Sequence, residues 1–113
     1  MDSVVSEETT ELEEYQAWVA ETASFTGDNQ AHLVWSCMGL GSEAGEVQGE
    51  IEKILRKKEP VSSRHAKLVD ELGDVIWYAA SVANALGVSL DEVIELNITK
   101  INKRVYGENT KQD

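Results

Sequence analysis

The chain is short of the residues that staple or punctuate a small protein. Among its 113 residues there is one cysteine, Cys37, so an internal disulfide framework is excluded and a reducing compartment fits. A free cysteine behaves as a small hydrophobe, and Cys37 is expected to pack within a helix. There is likewise one proline, Pro60, which leaves long stretches free to run as helix. No run approaches the ~18 apolar residues of a membrane span, and the acidic first residues lack the basic and apolar regions of a signal peptide. A cytoplasmic location is the expectation. Positive charge is scarce too: 10 Lys and Arg stand against 21 Asp and Glu, for a formal net charge of −11. Nucleic acid and anionic membrane would both be repelled as principal partners. A phosphate compound stays within reach, because a divalent metal and a few local cations can reverse the sign at a site.

What the chain does have is helical periodicity. Residues 7–25 place Leu12, Tyr15, Val19 and Thr22 on one face, and Thr26-Gly27-Asp28 reads as a turn with Asp28 or Asn29 as the next cap. Residues 29–58 form the long helix, with Leu40, Ala44, Val47, Ile51 and Ile54 or Leu55 as its apolar stripe. Gly41, Gly45 and Gly49 repeat at every fourth position, which implies close approach of a neighbouring helix or ligand. Pro60 ends that helix, and Ser62 or Ser63 is placed to cap the next, over residues 64–86. Its expected core face is Leu68, Leu72, Val75, Ala79, Val82 and Leu86. Gly87 suits a C-cap, and Ser89 followed by Glu92 has capping-box spacing. The last helix is expected to bury Leu90, Val93 or Ile94, Ile98, Ile101 and Val105, with Asn97, Lys100 and Arg104 alongside. With no strand pattern or repeat, this is an all-α bundle of four to five helices in one domain, residues 1–113, with flexible ends at about 1–6 and 108–113.

The chemistry is concentrated in acids at helical steps. Glu43, Glu46 and Glu50 share one face at spacings where like charges repel, and a hard cation is the obvious reason for such crowding. Glu71 and Asp74 form a second pair on the next helix. Two helices joined by a short loop pack antiparallel, so Glu43, Glu46, Glu71 and Asp74 can face one another across the bundle. All-oxygen ligation selects Mg²⁺, Mn²⁺ or Ca²⁺ over zinc. A di-iron bundle would need Glu-x-x-His pairs, and neither His32 nor His65 follows a Glu at that spacing. Lys53, Lys67, Lys100 and Arg104 lie on neighbouring stripes and suit phosphate oxygens, while Trp35, Trp77 and Tyr78 suit either core packing or stacking on a base.

The segments GLGSEAGEV, ELGDVIWY and LGVSLDEVIELNITKINKR resemble the signatures of the MazG-like, all-α nucleoside triphosphate pyrophosphatases. That resemblance implies Mg²⁺ held by Glu43, Glu46, Glu71 and Asp74, with Mn²⁺ as a substitute. It implies further roles for Lys67 and Asp70 just before the second acidic pair, and for Lys100 and Arg104 on the last helix. Lys53 stands where the related dCTP-pyrophosphatase branch has a base-contacting Trp. Relatives often continue Lys-Arg-Tyr-Pro where this chain has Lys103-Arg104-Val105-Tyr106-Gly107.

The resulting expectation is a Mg²⁺-dependent hydrolysis of a deoxy or non-standard nucleoside triphosphate to monophosphate and pyrophosphate, in nucleotide-pool housecleaning, by a homodimer or homotetramer. Glu46 or Glu50 serves as base, with Lys67 and Asp70 in the catalytic set. Lys53, Trp77, Tyr78, Asn97, Lys100 and Arg104 are expected to bind substrate. The competing readings are a non-catalytic nucleotide- or metal-binding regulatory module and a plain helical oligomerisation domain.

Overall fold

Helix α1 (Glu11–Thr22) begins at a complete capping box. The Thr10 hydroxyl accepts from the Glu13 N–H at 3.0 Å, and the Glu13 carboxylate accepts from the Thr10 N–H at 3.1 Å. That reciprocal cap starts the helix later than periodicity alone suggests, and extended backbone at Ala23 ends it before Phe25. The computed structural model describes residues 9–107, so the flexible ends expected at 1–6 and 108–113 lie outside the described residues.

Asp28 caps α2 (Asn29–Lys57) by accepting from the Ala31 N–H at 2.8 Å, and Lys58 closes it in a left-handed conformation at φ 55°. A 3₁₀ turn (Val61–Arg64) leads into α3 (His65–Leu86). Neither Ser62 nor Ser63 caps α3; the Ser63 hydroxyl instead donates back to Glu59 and to the Pro60 carbonyl, tightening the turn. Gly87 ends α3 at φ 75°, which glycine adopts without steric cost. Ser89 caps α4 (Leu90–Asn102), accepting from the Glu92 N–H at 3.1 Å, and one π-type turn (Lys103–Gly107) follows.

The described residues contain four α-helices and no strand, and the fold is all-α. Its centre is the antiparallel α2–α3 hairpin, in which each step back along α2 is matched by a step forward along α3. Thus Glu50 meets Arg64, Gly39 meets Tyr78, and Ser36 meets Ser81 at 2.7 Å. A Cβ at Gly39 would overlap the Tyr78 ring, so close approach explains this glycine. It does not explain Gly41, Gly45 and Gly49, whose Cβ positions face open space in the protomer.

Helix α1 lies on α3 through a buried amide. Gln16 donates to Asn84 Oδ1 at 3.0 Å and to the Val88 carbonyl at 3.1 Å, and accepts from the Leu90 N–H at 2.6 Å. The α3–α4 turn is therefore held by α1. Beyond that anchor α4 packs on little: it meets α1 and α3 near its start and makes no direct packing with α2.

The fully buried apolar residues are few: Val19, Ile54, Ala80, Ala83 and Ala85. Several expected core positions are exposed instead, including Leu72 and Leu86 on α3, Val93, Ile94, Ile98 and Ile101 on α4, and Val105 in the π-type turn that follows. Cys37 is exposed as well. Periodicity locates an apolar stripe correctly but does not say what covers it, and among the described residues of one protomer these stay exposed.

Candidate metal and nucleotide site

Glu43 lies one heptad before Glu50 on α2, so both turn toward α3, while Glu46 between them turns to the exposed flank. Because α3 runs antiparallel, its Glu71 and Asp74 come opposite Glu43. One oxygen from each of Glu43, Glu71 and Asp74 lies within 4.8 Å of the others. Glu71 is buried, Glu43 half-buried and Asp74 exposed, so the cluster opens to solvent on one side. Partial burial, followed by the charges of Asp74, Glu71, Glu46 and Asp70, holds the Glu43 carboxyl above the usual carboxylate range. Glu46 and Asp70 thus act on the cluster through their field, although neither belongs to the group of three oxygens. An all-carboxylate donor set of this kind fits a hard divalent cation such as Mg²⁺ or Mn²⁺.

Glu50 has a different environment. It is 2 % exposed, with Oε1 3.2 Å from Arg64 Nη1 and Oε2 3.5 Å from Lys53 Nζ. Arg64 also reaches Glu59 at 3.3 Å. The hydrogen bond from Ser63 is the largest influence on Glu59; burial opposes it, and the charge and hydrogen bond of Arg64 add to it, so the carboxyl lies below its ordinary range. Lys53 is thereby engaged by Glu50, whereas Lys67 sits at the cluster itself, 3.7 Å from Glu71 one turn along α3.

The MazG nucleotide pyrophosphohydrolase domain matches residues 37–106, most of the chain, including both acidic pairs and the last helix. The chain belongs to this family. It is 40 % identical over 96 residues to the Gene 37 protein of Mycobacterium phage L5, an alignment that covers 80 % of this chain and 84 % of the phage protein. No solved structure shows significant similarity to it.

Within this MazG fold the aromatic residues gather beside the hairpin. Trp77 and Tyr78 meet edge to face, Trp35 contacts both, and Phe25 and His32 extend the group toward the start of α2. The Trp77 indole N–H donates to Thr22 Oγ1 at 3.1 Å, which ties the group to α1. His32, in the first turn of α2, is half-buried, stacked on Phe25 with its Nε2 3.2 Å from Ser81 Oγ, and so belongs to the packing at this helix end.

Two neighbours of the site were not visible from motif spacing. Arg64 precedes α3 and carries no periodic signal, yet it is the closest cation to Glu50. Tyr15 on α1, read from the sequence as part of an apolar face, stands near enough that burial and then Asp74 raise its hydroxyl above the ordinary range. An unusual tyrosine among the acids of α1 was the only hint.

Three expected substrate residues remain apart from all this. Asn97 and Lys100 lie on the exposed part of α4 and Arg104 in the π-type turn that follows it, and neither cation forms an ion pair among the described residues.

Proposed function

We propose that the chain hydrolyses a nucleoside triphosphate, of deoxy or non-standard type, to the monophosphate and pyrophosphate. The observation that carries this reading is the convergence of Glu43, Glu71 and Asp74, drawn from two helices, into one all-oxygen cluster. These three, with Glu46 at the rim, would hold Mg²⁺. Bound there, the metal supplies charge neutralisation at the triphosphate and lowers the pKa of water.

The chain's own residues account for the rest. Glu46 is exposed, lies one turn from Glu43, and forms no ion pair among the described residues, which suits a proton acceptor. Glu50 is engaged by Arg64 and Lys53, which favours a structural role and makes Glu46 the better base. Lys67 is placed to steady a phosphate oxygen, and Asp70 adds to the negative field. Trp77, Tyr78 and Trp35 offer aromatic faces for the base. The many uncovered apolar residues support a homo-oligomer.

The test is pyrophosphate release across a panel of NTPs and dNTPs with and without Mg²⁺. The competing module reading predicts nucleotide binding without release.

A further inference from the structure

We infer that His32 is a positioning residue for the aromatic group: its protonation sets the direction of a buried hydrogen-bond chain through Ser81 and Ser36, and so makes binding of a nucleotide base depend on pH. This deepens the base-stacking role proposed for Trp35, Trp77 and Tyr78 and rests on it. His32 itself is placed against neither the base nor the carboxylates.

The hydrogen-bond chain is short and closed to water at its inner end. His32 Nε2 lies 3.2 Å from Ser81 Oγ, and Ser81 Oγ lies 2.7 Å from Ser36 Oγ across the hairpin. Ser36 and Ser81 are 0 and 1 % exposed, and among the described residues neither hydroxyl has a further partner. Both contacts can run in either direction, so the imidazole decides. With Nε2 bare, Ser81 donates to it and Ser36 donates to Ser81, which uses both hydroxyl hydrogens. A charged imidazole carries hydrogen on both nitrogens, so Nε2 has to donate to Ser81, and Ser81 to Ser36. The Ser36 hydrogen is then left without an acceptor where water does not reach, and an unmatched buried donor costs more than the bond contributed. Protonation of His32 therefore works against the Ser36–Ser81 contact.

That contact is one rung of the hairpin, and its neighbours are the residues of the site. The Ser36–Ser81 rung lies one turn from Gly39–Tyr78, and that rung lies one turn from Glu43 and Asp74. Tyr78 sits so close to the α2 backbone at Gly39 that a Cβ there would overlap its ring, so its seat depends on the spacing of the two helices. The imidazole also joins the ring packing: it stacks on Phe25 at 5.4 Å between centroids, Phe25 meets Trp35 at 5.5 Å, and Trp35 meets Tyr78 at 5.5 Å. On its outer side half-buried His32 lines a solvent-open cavity of about 300 Å³, where it exchanges protons that cannot reach the two serines. Asp28, one turn before it on α2, is the charged group lining that cavity; α1 contributes Ala20 and Ala23 there. On α3 the titratable side chain within one turn of Ser81 is Tyr78. Histidine is the side chain whose charge changes near neutral pH, and here it is joined by hydrogen bonds to the rung beside the aromatic group.

Two measurements decide the matter, and the first needs no nucleotide. The ring signals of His32, Trp77 and Tyr78 are followed by NMR against pH, with His65, exposed at the start of α3, as internal reference. Trp77 and Tyr78, which have no direct ring contact with His32, are expected to shift in step with its titration and not with that of His65. Ser36→Ala/Ser81→Ala removes both hydroxyls together and strands neither; His32 is expected to titrate in it without moving the other rings. Wild-type signals that ignore His32, or that follow it equally without the hydroxyls, overturn the inference. In the second, KM and kcat for pyrophosphate release are measured against pH with whichever of dATP, dCTP, dGTP, dTTP and dUTP the wild type cleaves. KM is expected to rise about fivefold on the acid side of the His32 titration, the factor that one lost hydrogen bond gives. His32→Gln, shown to be helical, has an amide that bonds Ser81 but takes up no proton, and its KM is expected not to follow that titration. A KM that is flat in the wild type, or that keeps its pH course in His32→Gln, overturns the inference. Absence of release by the wild type refutes the functional reading instead, and the ring titrations then still read the chain.

Discussion

Glu50 and Arg64 stand 14 residues apart and meet at 3.2 Å across the turn that joins the two acid-bearing helices. Their pairing fixes the hairpin just beyond the carboxylate cluster, and it gives Glu50 a role other than proton transfer. Removing one partner of a buried pair leaves the other charge uncompensated. Arg64→Met is expected to destabilise the protein by about 3 kcal/mol, toward the lower end for such losses because Lys53 stays near Glu50. The double variant Glu50→Met/Arg64→Met should recover most of that loss in urea unfolding. Retained pyrophosphate release in the double variant would leave Glu46 as the base.

The cluster carries a cost of its own when no metal is bound. A carboxyl raised above its ordinary value near 4.5 binds more protons folded than unfolded, so its contribution to stability falls as pH rises through that window. In EDTA, Glu43→Gln is therefore expected to melt above wild type at pH 7, with the difference shrinking as pH falls through the carboxylate range. Adding Mg²⁺ should reverse the order, because wild type gains stability by binding and the variant has lost a ligand. Melting curves of both proteins at several pH values, with and without Mg²⁺, provide the check.

Asp74 is the exposed member of the three and the one whose charge reaches Tyr15. Asp74→Asn keeps the shape and removes the charge. Release of pyrophosphate is expected to fall by more than about a hundredfold, beyond what loss of an outer partner of a metal site costs. Helicity by circular dichroism should not change.

Gln16 satisfies a donor and two acceptors at the α3–α4 junction. Gln16→Leu leaves Leu90 N–H, the Val88 carbonyl and Asn84 without those partners, at about 2 kcal/mol or more. A thermal melt about ten degrees lower is expected.

Much of the fold was legible because helix punctuation is local. Asp28, Gly87 and Ser89 act where spacing put them, and Glu43 with Glu71 and Asp74 follow from helical period plus a short connection. What escaped was whatever depends on a surface elsewhere in space. The stripes at Leu72 and Ile98 are periodic whether or not the same chain covers them, and among the described residues they stay exposed. The Gly41, Gly45 and Gly49 row failed as a sign of packing within the chain for the same reason. Glu50 looked equivalent to Glu46 along the helix. The difference is Arg64, expected to open the next helix but held in the 3₁₀ turn before it, whose geometry brings it to Glu50.

Pyrophosphate release under Mg²⁺, read against an EDTA control over a panel of NTPs and dNTPs, tests the central claim most directly. The account predicts that at least one triphosphate yields monophosphate and pyrophosphate in equal amounts, and that EDTA stops the reaction. Release of orthophosphate in place of pyrophosphate, or no cleavage of any triphosphate by a folded, Mg²⁺-loaded protein, would contradict it.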